Sequence, residues 1–293
     1  MKHITFPVVL SLLLALQSNS QLQPVSRAEY LAYVKEAADS AWTKHPVEIK
    51  RWKESIDTNY VFGYNPPGTD PILAGVCAHL YKDTKDKKYA DRAKQLLVGY
   101  GEYKNAYPKN YFLRRLEYAK GLPTLPNIFL SPSYIRAYRL LKDENVLSKK
   151  DKEIIEQNIA ESADFLINFQ EWGPMNRAML RAEALMGSVK AVPDHPNAKT
   201  WEMMARSIAD DNWGKWEIED ASLYNGVWLY SLFSYADILQ DESLFRMPII
   251  HYNLKYFTHL ICPDGSIQEF GDAGWKVVWD RFMVCLERGT EVY

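Results

Sequence analysis

Apolar residues recur along this chain at helical spacing in two forms that alternate. One form has a single apolar face: Tyr30, Tyr33, Val34, Ala37, Ala38, Ala41 and Trp42 in a first segment, Ile154, Ile155, Ile159, Leu166 and Ile167 in a second, and Trp201, Met204, Ala205, Ile208 and Ala209 in a third. The other form is apolar on nearly every side: Pro71 to Tyr81, Ser133 to Leu141, Met175 to Val189 and Asp220 to Leu239. A helix with one apolar stripe packs on one neighbouring layer, whereas a helix apolar all round must be buried on every side. The all-round segments begin near Pro71, Ser131, Pro174, Asp220 and Gly274, at steps of roughly 43 to 60 residues, as a repeat of helical hairpins would. Ser26 followed three residues later by Glu29 makes a capping box that starts the first helix.

This alternation predicts an all-α fold. Strand signals are confined to short pieces in loops, Trp216 to Ile218 and Ser266 to Phe270, so a parallel α/β sheet has no support. Two architectures satisfy alternating inner and outer helices: an α/α toroid with a central cleft, or an open solenoid. The loops favour the toroid. Tyr60 to Asn65, Glu171 to Arg177, Asn212 to Trp216 and Pro263 to Ser266 each lead into an inner helix and carry aromatic and polar residues that a toroid would gather at one mouth. The last inner-type segment, Gly274 to Arg288, is followed by only five residues. About five hairpins are counted in this way, fewer than a closed toroid needs. The expectation is a single domain over 21–293, an incomplete barrel of hairpins that is either a truncated product or an open horseshoe.

Met1-Lys2-His3 leads into the apolar run Ile4 to Leu16, with Ser18 and Ser20 at small positions before Gln21. That order is a signal peptide over 1–20. The run of about thirteen residues falls short of the roughly 20 that span a bilayer, and no Cys follows it to take a lipid. The expectation is a secreted or periplasmic protein with no membrane attachment after cleavage. Against 35 Lys+Arg stand 37 Asp+Glu, a formal net charge of −2, which excludes a polybasic nucleic-acid binder. Cys77, Cys262 and Cys285 permit one bridge at most and read better as small buried hydrophobes. No zinc-type spacing of Cys and His occurs, so neither a metal nor a cofactor is expected. Nothing bears on oligomeric state.

Two constellations carry chemistry. In Trp172-Gly173-Pro174-Met175-Asn176-Arg177, the proline marks a helix start with Asn176 and Arg177 in its first turn, where free N–H groups and the helix dipole favour an anion. Arg181, one turn on, can grip a carboxylate. Alternatively, Asn176 caps the helix and the arginines pair with Glu183 or other acids. In Trp213-Gly214-Lys215-Trp216-Glu217-Ile218-Glu219-Asp220-Ala221-Ser222-Leu223-Tyr224, Asp220 is a candidate N-cap. Tyr224 falls near the start of the next buried helix, with Trp213 and Trp216 offering flat faces for sugar rings.

The segments Trp172 to Arg181 and Glu219 to Tyr235 resemble the α/α-toroid polysaccharide lyases, the alginate lyase and heparinase-type superfamily, polysaccharide lyase family thirty-eight among them. The likeness covers Trp172 to Trp275. It implies that Asn176 neutralises a uronate carboxylate and that Tyr224 moves a proton. Several relatives have His directly after the Asn; Arg177 stands there in this chain, so the resemblance leaves the base unassigned.

The implied reaction is β-elimination. Removing the C5 proton of a uronic acid builds charge on its carboxylate, which Asn176 and Arg177 suit, and one Tyr can serve as base and acid if both groups lie on one face. Otherwise His251 is the candidate base, ahead of His259 and His79. The substrate would be an acidic polysaccharide or oligosaccharide such as alginate or glucuronan. It would stack on Trp172, Trp213, Trp216 and Trp275 and meet a local basic lining drawn from Arg114, Arg115, Arg136, Arg139 and Lys215. Two rivals remain: a glycoside hydrolase using carboxylates among Glu219, Asp220, Glu269 and Asp272, and a non-catalytic glycan-binding protein that keeps the tryptophans and needs no proton donor.

Overall fold

A computed structural model describes residues 26–55, 66–106, 123–126, 128–168, 175–213 and 222–261. The regular structure among them is helical: α1 (Arg27–Ser55), α2 (Pro66–Thr84), α3 (Lys87–Gly99), α4 (Ser131–Leu141), α5 (Lys149–Leu166), α6 (Asn176–Ala191), α7 (Ala198–Trp213), α8 (Ser222–Leu239) and α9 (Pro248–Thr258). Two short 3-10 helices, η1 (Tyr100–Ala106) and η2 (Glu242–Arg246), complete them. No strand occurs among the described residues, and both expected strand pieces lie outside them, as do the signal segment and the final inner-type segment. None of the described helices is long and apolar enough to cross a membrane.

The chain separates into residues 1–40 and 41–293. In the first unit, α1 begins at the expected capping box: the Glu29 N–H donates to Ser26 Oγ at 3.2 Å, and the Ser26 N–H to Glu29 Oε2 at 2.9 Å. The face expected to be buried is largely open here, with Tyr30 64 % and Tyr33 69 % exposed and Ala38 buried. Spacing tells which residues share a face, not whether anything covers it. The helix also continues through Pro46 to Ser55, further than the pattern predicted.

In the second unit the helices form two rows. α2, α4, α6 and α8 are neighbours in that order, and α3, α5 and α7 lie against them, α3 on α2 and α7 on α6. Burial follows the predicted distinction. Every residue from Ala178 to Ser188 of α6 is buried, and Asn225 to Ala236 of α8 are buried except Tyr230, which is half-exposed. The outer helices bury one stripe: Ile155, Asn158, Ile159, Ser162, Ala163 and Leu166 in α5, and Trp201, Ala205, Ile208, Ala209 and Asn212 in α7. That is the i, i+3, i+4, i+7 spacing of a one-faced helix.

Buried tyrosines close gaps that the helix pattern leaves. Pro71 lies inside α2 and has no N–H for the Pro67 carbonyl four residues back; the Tyr100 hydroxyl donates to that carbonyl instead, at 2.5 Å. Where α3 tightens into η1, the Leu97 carbonyl accepts from Tyr134 Oη at 2.8 Å, and Asn158 of α5 donates to the same hydroxyl at 3.1 Å. Asp70, buried in the first turns of α2, accepts from Tyr103 Oη at 2.5 Å and lies 2.9 Å from His45 Nε2 of α1. Such paired buried polar groups favour one packing of neighbouring helices, because a slip breaks the bonds they make.

Candidate functional site

The two chemical constellations sit on the two most buried helices. α6 starts where expected: Met175 is its N-cap in extended conformation with no side-chain cap bond, so Asn176 is the first helical residue rather than the cap. Asn176 is buried and Arg177 half-buried. The Trp172 to Pro174 approach lies outside the described residues. α8 begins at Ser222, which leaves the expected cap Asp220 and the stacking residues Trp216 and Trp275 outside as well; Tyr224 is half-buried in its first turn.

Two side-chain contacts set the register of α6 against α8. A Cβ on Gly187 would stand 3.8 Å from Ile238 Cδ1, while Glu183 Oε1 and Ser234 Oγ accept from the same Arg136 nitrogen at 2.5 and 3.2 Å. The same sequence offset separates both pairs, so the helices run in the same direction. Carried back to the start of α6, that offset sets Asn176 level with Val227. At 1.5 Å rise per residue, Tyr224 is then about 4.5 Å further along the axis. Asn176, Arg177 and Tyr224 therefore occupy the same end of two adjacent inner helices. His251 is half-buried in the first turn of α9, whose packing runs to η2.

Two expected substrate-binding residues are placed otherwise. Arg181 is 1 % exposed, and its guanidinium points back to α5, with Nε donating to Leu166 O at 2.8 Å and Nη2 to Ile167 O at 2.7 Å. Those are among the carbonyls a helix leaves unpaired at its C-terminus, where a cation is favoured. These bonds tie α5 to α6. Trp213, expected to stack on sugar, is 3 % exposed in the last turn of α7 and presents no open face. Its neighbourhood is fixed by Asn212, whose side-chain oxygen accepts from Trp228 Nε1 of α8 at 2.8 Å. Periodicity marks both positions as helical but cannot tell a side chain that reaches a cleft from one that reaches the next helix.

A pocket of about 290 Å³ opens between the inner helices, lined by His79 of α2, Pro132, Ile135, Arg136 and Arg139 of α4, Glu183 and Gly187 of α6, and Tyr230, Ser234, Asp237 and Ile238 of α8. It begins with Glu183, about 10 Å along α6 from Asn176. At its floor Arg136 is held by Glu183, by Ser234 and by a short contact to the Tyr230 hydroxyl. Burial alone would lower the pKa of this guanidinium, but Glu183 and Tyr230 reverse the direction and hold it protonated. Burial and then the Arg136 charge push the His79 imidazole below its ordinary value, partly offset by Asp83, so at pH 7 it is neutral. Burial and Arg136 also lower Arg139, against the opposing pull of Glu183 and Asp237.

Arg136 and Arg139 were expected in a basic lining and do line this pocket; Arg114, Arg115 and Lys215 lie outside the described residues. His79 was ranked behind His251 as a base and not placed in a pocket, and Tyr230 was not singled out; both interrupt apolar stretches, the one signal that marks them. Among the described residues no group of three or more His, Cys, Asp or Glu side chains is arranged to hold a metal ion. Cys77 is buried; Cys262 and Cys285 lie outside, as do Glu219, Asp220, Glu269 and Asp272. No protein-family model, curated protein or solved structure matches this chain.

Proposed function

We propose that this chain is an exported polysaccharide lyase on an α/α toroid, cleaving a uronic-acid polymer such as alginate or glucuronan by β-elimination. The observation that carries the reading is the parallel register of α6 and α8, with Asn176, Arg177 and Tyr224 at one end of two neighbouring inner helices. Elimination needs those groups side by side. Asn176 and Arg177 would neutralise the carboxylate as the C5 proton leaves, and Tyr224 would take that proton and return one to the departing O4. No redox change is involved: the C5–H and C4–O4 bonds break, a C4–C5 double bond forms, and the chain splits into two ends. His251 is the alternative base should the two proton transfers fall on opposite faces. Trp172, Trp216 and Trp275 would stack on sugar rings.

The two-row arrangement of α2 to α8 supports the toroid, in which inner helices run parallel and open at a common end. With a net charge of −2, attraction to a polyanion has to be local rather than global. The test is incubation of the protein without residues 1–20 with alginate, glucuronan and a neutral glucan, following ultraviolet absorbance and reducing ends together. Both signals should rise on a polyuronate. Reducing ends without absorbance would replace this reading with hydrolysis, and binding without cleavage would replace it with a non-catalytic glycan-binding role.

A further inference from the structure

We propose that the pocket between α2, α4, α6 and α8 is a separate binding site for a single compact hydroxy-carboxylate, with Arg139 as its anion anchor. The two arginines of α4 are in different states. Arg136 is committed to Glu183, Ser234 and Tyr230 at the floor. Arg139, one turn on and half-buried, lines the same pocket with no hydrogen bond or ion pair to any described residue. A planar guanidinium fork thereby lines the cavity, of the kind that a carboxylate pairs with in two parallel bonds.

The remaining lining specifies the rest of the ligand. His79, neutral at pH 7, offers one N–H and one lone pair, and Asp237 at the exposed rim accepts from a hydroxyl. Pro132, Ile135 and Ile238 give an apolar wall for a carbon skeleton. A volume of about 290 Å³ lies just below the roughly 300–1,000 Å³ of pockets that take drug-sized ligands. One small ring or short acid fits, and a polymer does not. The site lies about 10 Å along the helices from Asn176, and the inference does not rest on the lyase reading.

Isothermal titration of the full chain at pH 7 with sodium glucuronate, sodium acetate and inorganic phosphate tests this. Glucuronate should bind saturably at one per chain, more tightly than acetate or phosphate. Arg139→Gln should weaken it by about tenfold or more, Arg139→Lys by less, while the surface control Lys199→Gln leaves it unchanged. In wild-type protein, titration should also shift the His79 ring resonances, a readout independent of any variant's folding. The proposal is overturned by absence of saturable glucuronate binding, by phosphate binding as tightly as glucuronate, or by full binding in Arg139→Gln.

Discussion

Replacing Arg181 separates a structural role from a substrate-binding one. Its guanidinium donates to Leu166 O at 2.8 Å and to Ile167 O at 2.7 Å, from a side chain 1 % exposed. Bonds with a charged donor contribute about 1.5–3 kcal/mol each, and removing the donor strands two acceptors in the interior. Arg181→Met keeps much of the side chain's volume and loses both bonds, for an expected cost of about 3–5 kcal/mol. In a domain of this size that lowers Tm by roughly 10 °C. Urea unfolding followed by circular dichroism should show a lower midpoint with an unchanged slope. If Arg181→Met instead unfolds within about 0.5 kcal/mol of wild type and its polysaccharide affinity collapses, the placement of Arg181 against α5 is wrong.

Three further outcomes follow from the geometry. Gln240 ends α8 at φ 57° in a two-bond helix stop, with its own N–H to Asp237 O and the Asp241 N–H to Ala236 O; Gln240→Gly should raise stability by about 0.5–1 kcal/mol in the same urea experiment, because the left-handed conformation penalises a Cβ. His79 titrates below its ordinary 6.5 in the folded protein, so the unfolded chain takes up the proton first. Its contribution is complete above pH 6.5 and shrinks as pH falls through that value, and the gap in Tm between pH 7.5 and 5.5 should narrow in His79→Gln. Tyr224→Phe, half-buried and near the start of α8, should melt like wild type while kcat on a polyuronate falls by about a hundredfold or more; full activity would remove Tyr224 from proton transfer.

The helical rows were legible in the sequence because burial on all sides and burial on one side leave different spacings. Met175 to Val189 and Asp220 to Leu239 read as interior helices, and α6 and α8 are interior. The start of α6 was legible too, since Pro174 ahead of a buried run signals a first helical turn. What the spacing did not carry is the reach of long side chains. Arg177 and Arg181 lie one turn apart on the same side of α6, yet Arg177 is half-buried and Arg181 turns back onto the preceding helix. The pocket as a whole was hidden for a related reason: its polar residues come from four helices far apart in sequence, and although Arg136, His79 and Glu183 were each named for other roles, no single segment groups them with Tyr230. Register between helices depends on contacts such as Gly187 with Ile135 and Ile238, which no single segment encodes.

The most direct test of the elimination chemistry is the mass of the product. After digestion of alginate or glucuronan by the protein, mass spectrometry of the oligosaccharides should show each newly made non-reducing end lighter by one water than a hydrolysed end, carrying the C4–C5 double bond. Oligosaccharides of full hydrolytic mass would contradict the account and transfer the chemistry to paired carboxylates.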